Sequence, residues 1–372
     1  MEHELSDAIE ASETRPEGPL RRGWTTGACA AAATRAAYEA LVTGECPDPV
    51  AVSLPGGARP SFAIASFETF DNGATAGIVK DAGDDPDVTH GALVKASVRA
   101  GAPGSGVRFV AGEGVGTVTK AGLPIPPGEP AINPVPREMM RAAVREVTER
   151  FGASGDVVVE ISIPGGEALA AKTLNGRLGI IGGLSILGTT GIVIPYSCAA
   201  WIHSIHRGID VARASGVTHI AGSTGSTSET AVQKLHGLPE PALIDMGDFV
   251  GGMLKYAKRH PVPRITIAGG FAKMTKLGQG LLDLHSRAGS VDNVWLSELL
   301  REAEAPNDLV ELSRGANTAL QVLREAEARG IPVGEFVAKA AWTTAARVLD
   351  GSSIALDVAV FDREGNIVGR WG

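Results

Sequence analysis

The chain has 372 residues, 44% of them hydrophobic and 20% charged, with 48 Gly, 22 Pro and a formal net charge of -8. That length exceeds one ordinary core and predicts two domains. The acidic balance argues against nucleic acid as the main partner, since a broad basic face would show as excess Lys and Arg. No apolar run is long enough to span a bilayer and no basic-then-apolar leader is seen, so no membrane partner is expected. Cys29, Cys46 and Cys198 form neither a CxxC pair nor an even disulfide set, which points to a reducing cytoplasm.

Residues 1–20 are acidic, Pro-containing and poor in large apolar side chains, and predict a flexible tail. Arg22-Gly23-Trp24-Thr25-Thr26-Gly27-Ala28-Cys29 then opens a helix of almost pure Ala, predicted over 27–42 and stopped by Gly44. Thr26 is placed to cap its first turn. The free N–H groups there, with the helix dipole, suit an anionic group, while a flat Ala face suits close packing. Two readings stand: a tightly packed buried helix, or a binding edge for carboxylates or phosphates.

Strands follow at 50–54, 61–70 and 74–80, the last two joined by a turn at Asp71-Asn72-Gly73. Residues 92–100 and 107–110 predict a hairpin around a Gly- and Pro-rich loop. After a second Gly/Pro-rich passage come a helix over 136–151 with Pro136 in its first turn and a strand over 156–163. This half is α+β. The glycine-rich run 179–191 reads as the join between halves; it lacks the Lys of a Walker A loop, so the phosphate-loop reading fails.

Past Ile192 a strand, a glycine turn and a helix recur three times, with strands at 218–221, 242–246 and 264–268. That is the pattern of a parallel sheet with crossover helices, whose strands carry ligands at their carboxyl ends. The turns Gly222-Ser223-Thr224-Gly225, Gly247-Asp248 and Gly269-Gly270 let a nucleotide-like ligand approach the backbone, and Asp248 can accept from ribose hydroxyls. Helices are predicted over 291–303, 316–328 and 333–349, before a closing hairpin of 354–361 and 366–371.

Lys80-Asp81-Ala82-Gly83-Asp84-Asp85-Pro86-Asp87-Val88-Thr89-His90 puts four carboxylates in seven positions on a loop after a strand. Such a loop can take Mg²⁺ or Ca²⁺, tie down its own backbone, or contact substrate. The spacing is not that of an EF-hand and no second ligand cluster supports it, so no metal site is expected. His203 and His206 share a helix face without a Cys or Glu partner and read as a solvated or packed pair.

These stretches resemble the cobalt-precorrin-5B C1-methyltransferase family (CbiD-type) of cobalamin biosynthesis. The resemblance runs from Arg22 to about Ser286. It rests on Gly23-Trp24-Thr25-Thr26-Gly27-Ala28-Cys29, Lys80-Asp81-Ala82-Gly83-Asp84-Asp85-Pro86-Asp87, Gly112-Glu113-Gly114-Val115-Gly116, Ala131-Ile132-Asn133-Pro134 and Gly182-Gly183-Leu184-Ser185-Ile186-Leu187-Gly188-Thr189-Thr190-Gly191. It implies S-adenosylmethionine as methyl donor, a cobalt-bearing tetrapyrrole as acceptor, cobalt present only within that substrate, and cobalt-precorrin-6A as product. It also implies an α+β substrate-binding domain similar to ribosomal protein S5 domain 2 over 21–192, then an α/β Rossmann-like donor-binding domain with a parallel sheet over 193–372. A homo-oligomer and transient contact with neighbouring pathway enzymes fit this reading; the alternative is a non-catalytic carrier of corrinoid intermediates.

The acceptor carries acetate and propionate arms, for which Thr25, Thr26, Gly27, Lys80, Asp81, Lys120 and Arg137 are candidates. Gly222, Ser223, Thr224, Gly225, Asp248 and Gly269 are candidates for the donor cleft, with Lys273 and His285 added by the resemblance. Gly270 stands where the family usually has a polar side chain, so no role for that side chain carries over. Asp84, Asp85 and His90 are candidate proton acceptors.

Overall fold

The computed structural model describes residues 18–372, so the tail expected over 1–20 lies outside the described residues as far as residue 17. The chain divides into two compact units, Met1–Ser197 and Cys198–Gly372.

In the first unit a short strand β1 (Gly23–Trp24) leads into helix α1 (Thr26–Thr43). Ala has the highest helix propensity, and Gly44 closes the helix in the left-handed region at φ 83°. The cap is Thr25, not Thr26 as the sequence suggested: Thr25 has the extended backbone a cap needs and accepts from the Ala28 N–H, while Thr26 is already helical. The helix is buried along most of its length. One side meets helix α2 (Pro134–Phe151) and the other meets a five-stranded sheet. Methyl side chains let those layers approach closely, so the packed-helix reading is the one realised.

That sheet contains β4 (Ser66–Phe70), β5 (Gly73–Val79), β6 (Leu93–Ala100), β7 (Val107–Ala111) and β9 (Val157–Ser162), in the order β4-β5-β6-β9-β7. Strands β2 (Val50–Ala51) and β3 (Ser61–Phe62) pair separately. The β4–β5 hairpin turns through Asn72 at φ 60°. The hairpin predicted from β6 and β7 does not form. Strand β9 runs between them, antiparallel to β6 and parallel to β7, with Val159 opposite both Val98 and Phe109. Its β-branched run, Val157-Val158-Val159, suits a strand paired on both edges. The intervening loop is held by Asp156, which accepts from the Gly104 and Gly106 N–H groups at 3.0 and 2.8 Å.

The run 179–191 is not a join. Strand β10 (Ile180–Ile181) pairs with β8 (Thr117–Val118), and β11 (Ile192–Val193) pairs with β1. Leu184 and Ile186 are buried in this unit's core, which is where their apolar side chains draw the loop.

The second unit begins with α4 (Cys198–Ala214); within the first, α3 spans Gly166–Ala170. Then alternate β12 (His219–Ser223), α5 (Ser226–His236), β13 (Leu243–Asp245), α6 (Val250–Arg259), β14 (Arg264–Gly270) and α7 (Phe271–Gly278). Helices α8 (Asn293–Glu302), α9 (Asn307–Arg314), α10 (Ala319–Ala328) and α11 (Val333–Leu349) follow, α9 being absent from the sequence reading. Strands β15 (Ala355–Phe361) and β16 (Ile367–Trp371) make the expected hairpin, but β15 also joins β14 in parallel.

Sheet order is β13-β12-β14-β15-β16, the first four parallel. Alternation along the strands separates two faces. Ile220, Ile244, Ile265, Ile267, Val358 and Val360 pack with α4, α6, α7 and α11, whereas Ala221, Ala268 and Ala359 meet α5 through Val232. From β12 the chain moves to β13 on one side, then crosses to β14 on the other. The two connections part between β12 and β14, which makes the carboxyl ends of those strands the topological switch point, the usual ligand crevice of an open α/β sheet.

Candidate functional site

Each unit carries one group of the residues singled out by sequence. In the first unit the loop after β5 is knitted to the entry strand. The Arg21 guanidinium grips both oxygens of Asp81, and the Arg21 N–H donates to Asp84 Oδ2 at 2.6 Å. Trp24 N–H donates to the Asp81 carbonyl at 2.7 Å. A Cβ on Gly23 would lie 2.0 Å from the Ala82 carbonyl carbon, so this approach requires glycine. Arg21 holds the Asp81 carboxyl down to about 2, helped by the Gly83 N–H.

Lys80 is buried, with side-chain exposure of 1%, and pairs with Asp87 Oδ2. Asp87 Oδ1 accepts from the Thr89 N–H and hydroxyl. Burial pushes the Asp87 carboxyl up, but the Lys80 ammonium and Thr89 outweigh it and leave it below the ordinary value. Lys80 is therefore an internal counter-ion; it is not the free cation expected for a substrate arm. Asp85 accepts from the Tyr196 N–H at 2.8 Å, yet burial raises its carboxyl above the ordinary value. His90 is exposed and accepts the Ala82 N–H through Nδ1 at 3.1 Å. In its neutral form that ring carries its proton on Nε2 and presents a donor. The four carboxylates thus all have protein partners.

The helix edge at Thr25, Thr26 and Gly27 is closed as well. Thr25 N–H donates to the Gly191 carbonyl, Gly27 N–H to the Leu187 carbonyl, and Ala28 N–H to Thr25 Oγ1. Thr26 Oγ1 donates to the Leu187 carbonyl and accepts from its N–H. A Cβ on Gly27 would meet Pro136 Cγ at 2.8 Å. These three residues form the wall to which the 187–191 loop is fastened, which corrects the open edge read from sequence. Lys120 and Arg137 bond to loop carbonyls, Lys120 to that of Arg177, Arg137 to those of Ile132 and Pro130, with Glu129 alongside. They are not bonded to the Thr25 or Asp81 side chains.

In the second unit the donor candidates gather at the switch point. Ser223 ends β12, and its Oγ is buried without a hydrogen bond. Gly225 leads into α5, with open space where a side chain would be. A Cβ on Gly269 would lie 2.5 Å from Met274 Cε and 2.9 Å from the Thr224 side chain, so protein fills that space. Asp248 follows β13, and its buried Oδ1 accepts no aligned hydrogen bond but lies 3.1 Å from Lys273 Nζ. Lys273, in the first turn of α7, also donates to the Thr224 carbonyl at 3.0 Å. Gly222 does not join this group: a Cβ there would meet Met253 and Met246 sulfurs at 2.3 and 2.9 Å, so it serves core packing. His285 accepts from the Arg287 N–H within its own loop. Its neighbour Leu284 donates to the Asp248 carbonyl.

Sequence reasoning missed Arg21 and Tyr196, whose partners lie 60 and 111 positions away. It also missed a cluster at the opposite, amino-terminal ends of the strands. His219 Nε2 lies 2.8 Å from Thr266 Oγ1, which donates to Asp357 Oδ2 at 3.0 Å; His236 Nε2 lies 3.4 Å from the same oxygen. The three ligand-type groups lie within 4.8 Å of one another. However, Arg264 holds Asp357 Oδ1 at 2.9 Å and Arg370 lies 3.8 Å from Oδ2, so this carboxylate already has its cations. The cluster braces the end of α5 against the sheet. Its signal was the period-two placement of His219, Thr266 and Asp357 on the α5 face.

The CbiD family model matches residues 13–195, and the model for the CbiD C-terminal domain matches residues 283–372. The chain is 69% identical over 352 residues to the cobalt-precorrin-5B C(1)-methyltransferase of Bradyrhizobium sp. (strain BTAi1), covering 95% of this chain and 94% of that one. It is 62% identical to the protein of the same name from Methylorubrum extorquens, covering 94% and 97%. A 1.9 Å crystal structure of the cobalamin biosynthesis protein (cbiD) from Archaeoglobus fulgidus is 30% identical over 70% of this chain and 80% of that one, with a TM-score of 0.39. The class is thereby defined: the chain is a methyltransferase. It belongs to the CbiD family. No helix among the described residues is long and apolar enough to cross a membrane.

Proposed function

We propose that this methyltransferase moves the methyl group of S-adenosylmethionine to ring carbon C1 of cobalt-precorrin-5B, giving cobalt-precorrin-6A in cobalamin biosynthesis. The substrate and position come from the names of its relatives. The structural observation that supports the donor half lies at the switch point, where Ser223 Oγ is buried without a hydrogen bond and the Asp248 carboxylate, held through Oδ1 by Lys273, keeps its other oxygen to accept. Such atoms suit the hydroxyls of a nucleoside. In this reading residues 193–372 form a Rossmann-like donor-binding domain. Residues 21–192 form the acceptor-binding domain, with a fold like ribosomal protein S5 domain 2.

When bound, S-adenosylmethionine supplies a methyl group on a positively charged sulfur. The chain's own part begins with orientation, which is worth ~7–11 kcal/mol in well-aligned reactions. Asp248 accepts from the ribose hydroxyls, while Gly225, with open space where a side chain would be, lets backbone come close to the ligand. In the first unit His90 Nε2–H donates to a carboxylate arm, and Thr25, Thr26, Gly27, Lys80, Asp81, Lys120 and Arg137 hold the walls and loops in place. Methylating a ring carbon leaves the macrocycle one proton in excess. Of Asp84, Asp85 and His90, Asp85 is the best acceptor, because burial raises its affinity for a proton while Arg21 engages Asp84 and the neutral His90 presents a donor. A cytoplasmic location, a homo-oligomer and passing contact with neighbouring pathway enzymes accompany this proposal.

Incubation with methyl-labelled donor and enzymatically made cobalt-precorrin-5B tests it. One added methyl by mass, with matching S-adenosylhomocysteine, is expected. Acceptor bound but recovered unchanged would instead make the protein a carrier. Asp85→Asn should lower kcat roughly 10²-fold, the low end for general acid–base catalysis, with the acceptor KM little altered.

A further inference from the structure

We infer that Lys273 is a positioning residue that sets the Asp248 carboxylate for the ribose of the donor, and that it does not itself bind the ligand. The inference rests on the donor reading above. Lys273 Nζ has two partners inside the protein: the Thr224 carbonyl at 3.0 Å and Asp248 Oδ1 at 3.1 Å. It therefore reaches from the first turn of α7, after β14, to the turns that follow β12 and β13. One helical turn later, Lys276 Nζ donates to the Leu284 carbonyl at 2.9 Å, and the Leu284 N–H donates to the Asp248 carbonyl at 2.9 Å. The backbone of Asp248 is fastened on one side and its carboxylate on the other.

The chemistry explains why a lysine is tolerated at this place. An unpaired ammonium would repel a sulfonium donor, and an unpaired carboxylate would favour that cation in the ground state, before its charge is lost on transfer. Paired, the two neutralise each other. The carboxylate keeps one oxygen against Lys273 and leaves the other to accept hydrogen bonds. The buried Oδ1, which accepts no aligned hydrogen bond, is held by charge alone. Loss of the cation therefore frees the whole carboxylate to rotate.

The test uses calorimetry with S-adenosylhomocysteine and with its analogue lacking both ribose hydroxyls, on the full chain. Lys273→Met should weaken S-adenosylhomocysteine about tenfold, the value of one well-made hydrogen bond to a charged group, and change the analogue less than about twofold. Lys273→Arg, which can reach both partners, should recover most of the loss. Asp248→Asn keeps the shape and should show the same ligand dependence, with the double variant no worse than Asp248→Asn alone. Equal loss for both ligands, or none, would overturn the role of Lys273, and Lys273→Gln, polar but uncharged, is read by the same criterion should Lys273→Met fold poorly. Failure of the unaltered protein to bind S-adenosylhomocysteine at all would instead remove the donor reading.

Discussion

Lys80→Met isolates the buried ion pair under the acidic loop. Methionine nearly fills the lysine volume, so the cavity contribution is small and the change is chiefly electrostatic. Removing one partner of a buried pair costs about 3–5 kcal/mol when the other charge stays fully enclosed. Asp87, however, is 26% exposed and keeps the Thr89 N–H and hydroxyl, so water and those donors recover part of the loss. A cost of about 2–3 kcal/mol follows, which lowers the melting temperature of a unit this size by about 5–10 °C. Asp87→Asn should cost more, because Lys80 is 1% exposed and its charge would have no partner and little water. The pH dependence carries the same sign. The Asp87 carboxyl sits below its ordinary 3.8, so the pair stabilises above that value and its contribution is lost as pH falls through the lower folded value. Lys80→Met should flatten that acid limb. Urea unfolding from pH 7 to pH 3 measures all three effects. A Lys80→Met cost equal to or above that of Asp87→Asn would refute the asymmetry of burial on which this reasoning stands.

Thr25→Ala should cost about 1 kcal/mol by removing the cap of α1. Thr26→Val should cost about 1–3 kcal/mol by stranding the Leu187 N–H; a neutral Thr26→Val in thermal melts would show that this loop is not fastened there. Cys29 is fully buried and burial pushes its thiol up to about 12, whereas Cys198 is exposed. A disulfide reagent should therefore label Cys198 promptly, Cys46 more slowly and Cys29 only in urea; rapid native labelling of all three would contradict the packing of α1. Burial lowers the pKa of both His219 and His236, against the pull of Asp357. Each is held neutral on folding, so stability is complete above the ordinary 6.5 and declines as pH falls from there towards the folded values. Unfolding midpoints at pH 7.5 and 5.5 should fall accordingly, and less steeply in His219→Gln with His236→Gln. A midpoint rising with acid would have the wrong sign.

Much of the architecture was legible because its causes are local. The Ala run after Thr25 forms α1, Gly44 and Gly152 end helices in the left-handed region, and Asn72 turns the β4–β5 hairpin. The repeated strand–glycine–helix spacing gave away the parallel sheet and the turns at its carboxyl ends. The site was less legible. Thr25 and Thr26 have the composition of an anion-binding edge, yet their groups are taken by residues about 160 positions later. Lys80 looked available for a substrate arm, and only the fold showed Asp87 and the sheet enclosing it.

Local composition, capping chemistry and periodicity thus dictated which segments become helices and strands, and where the turns at the carboxyl ends of the second unit's parallel strands fall. Tertiary structure alone decided that β9 enters between β6 and β7, that β15 extends the parallel sheet, and that the 179–191 run folds back onto the first unit. The reason is physical. A strand edge offers the same N–H and C=O groups to any partner, so the choice falls to side-chain packing summed over the whole core, which no single stretch of sequence contains.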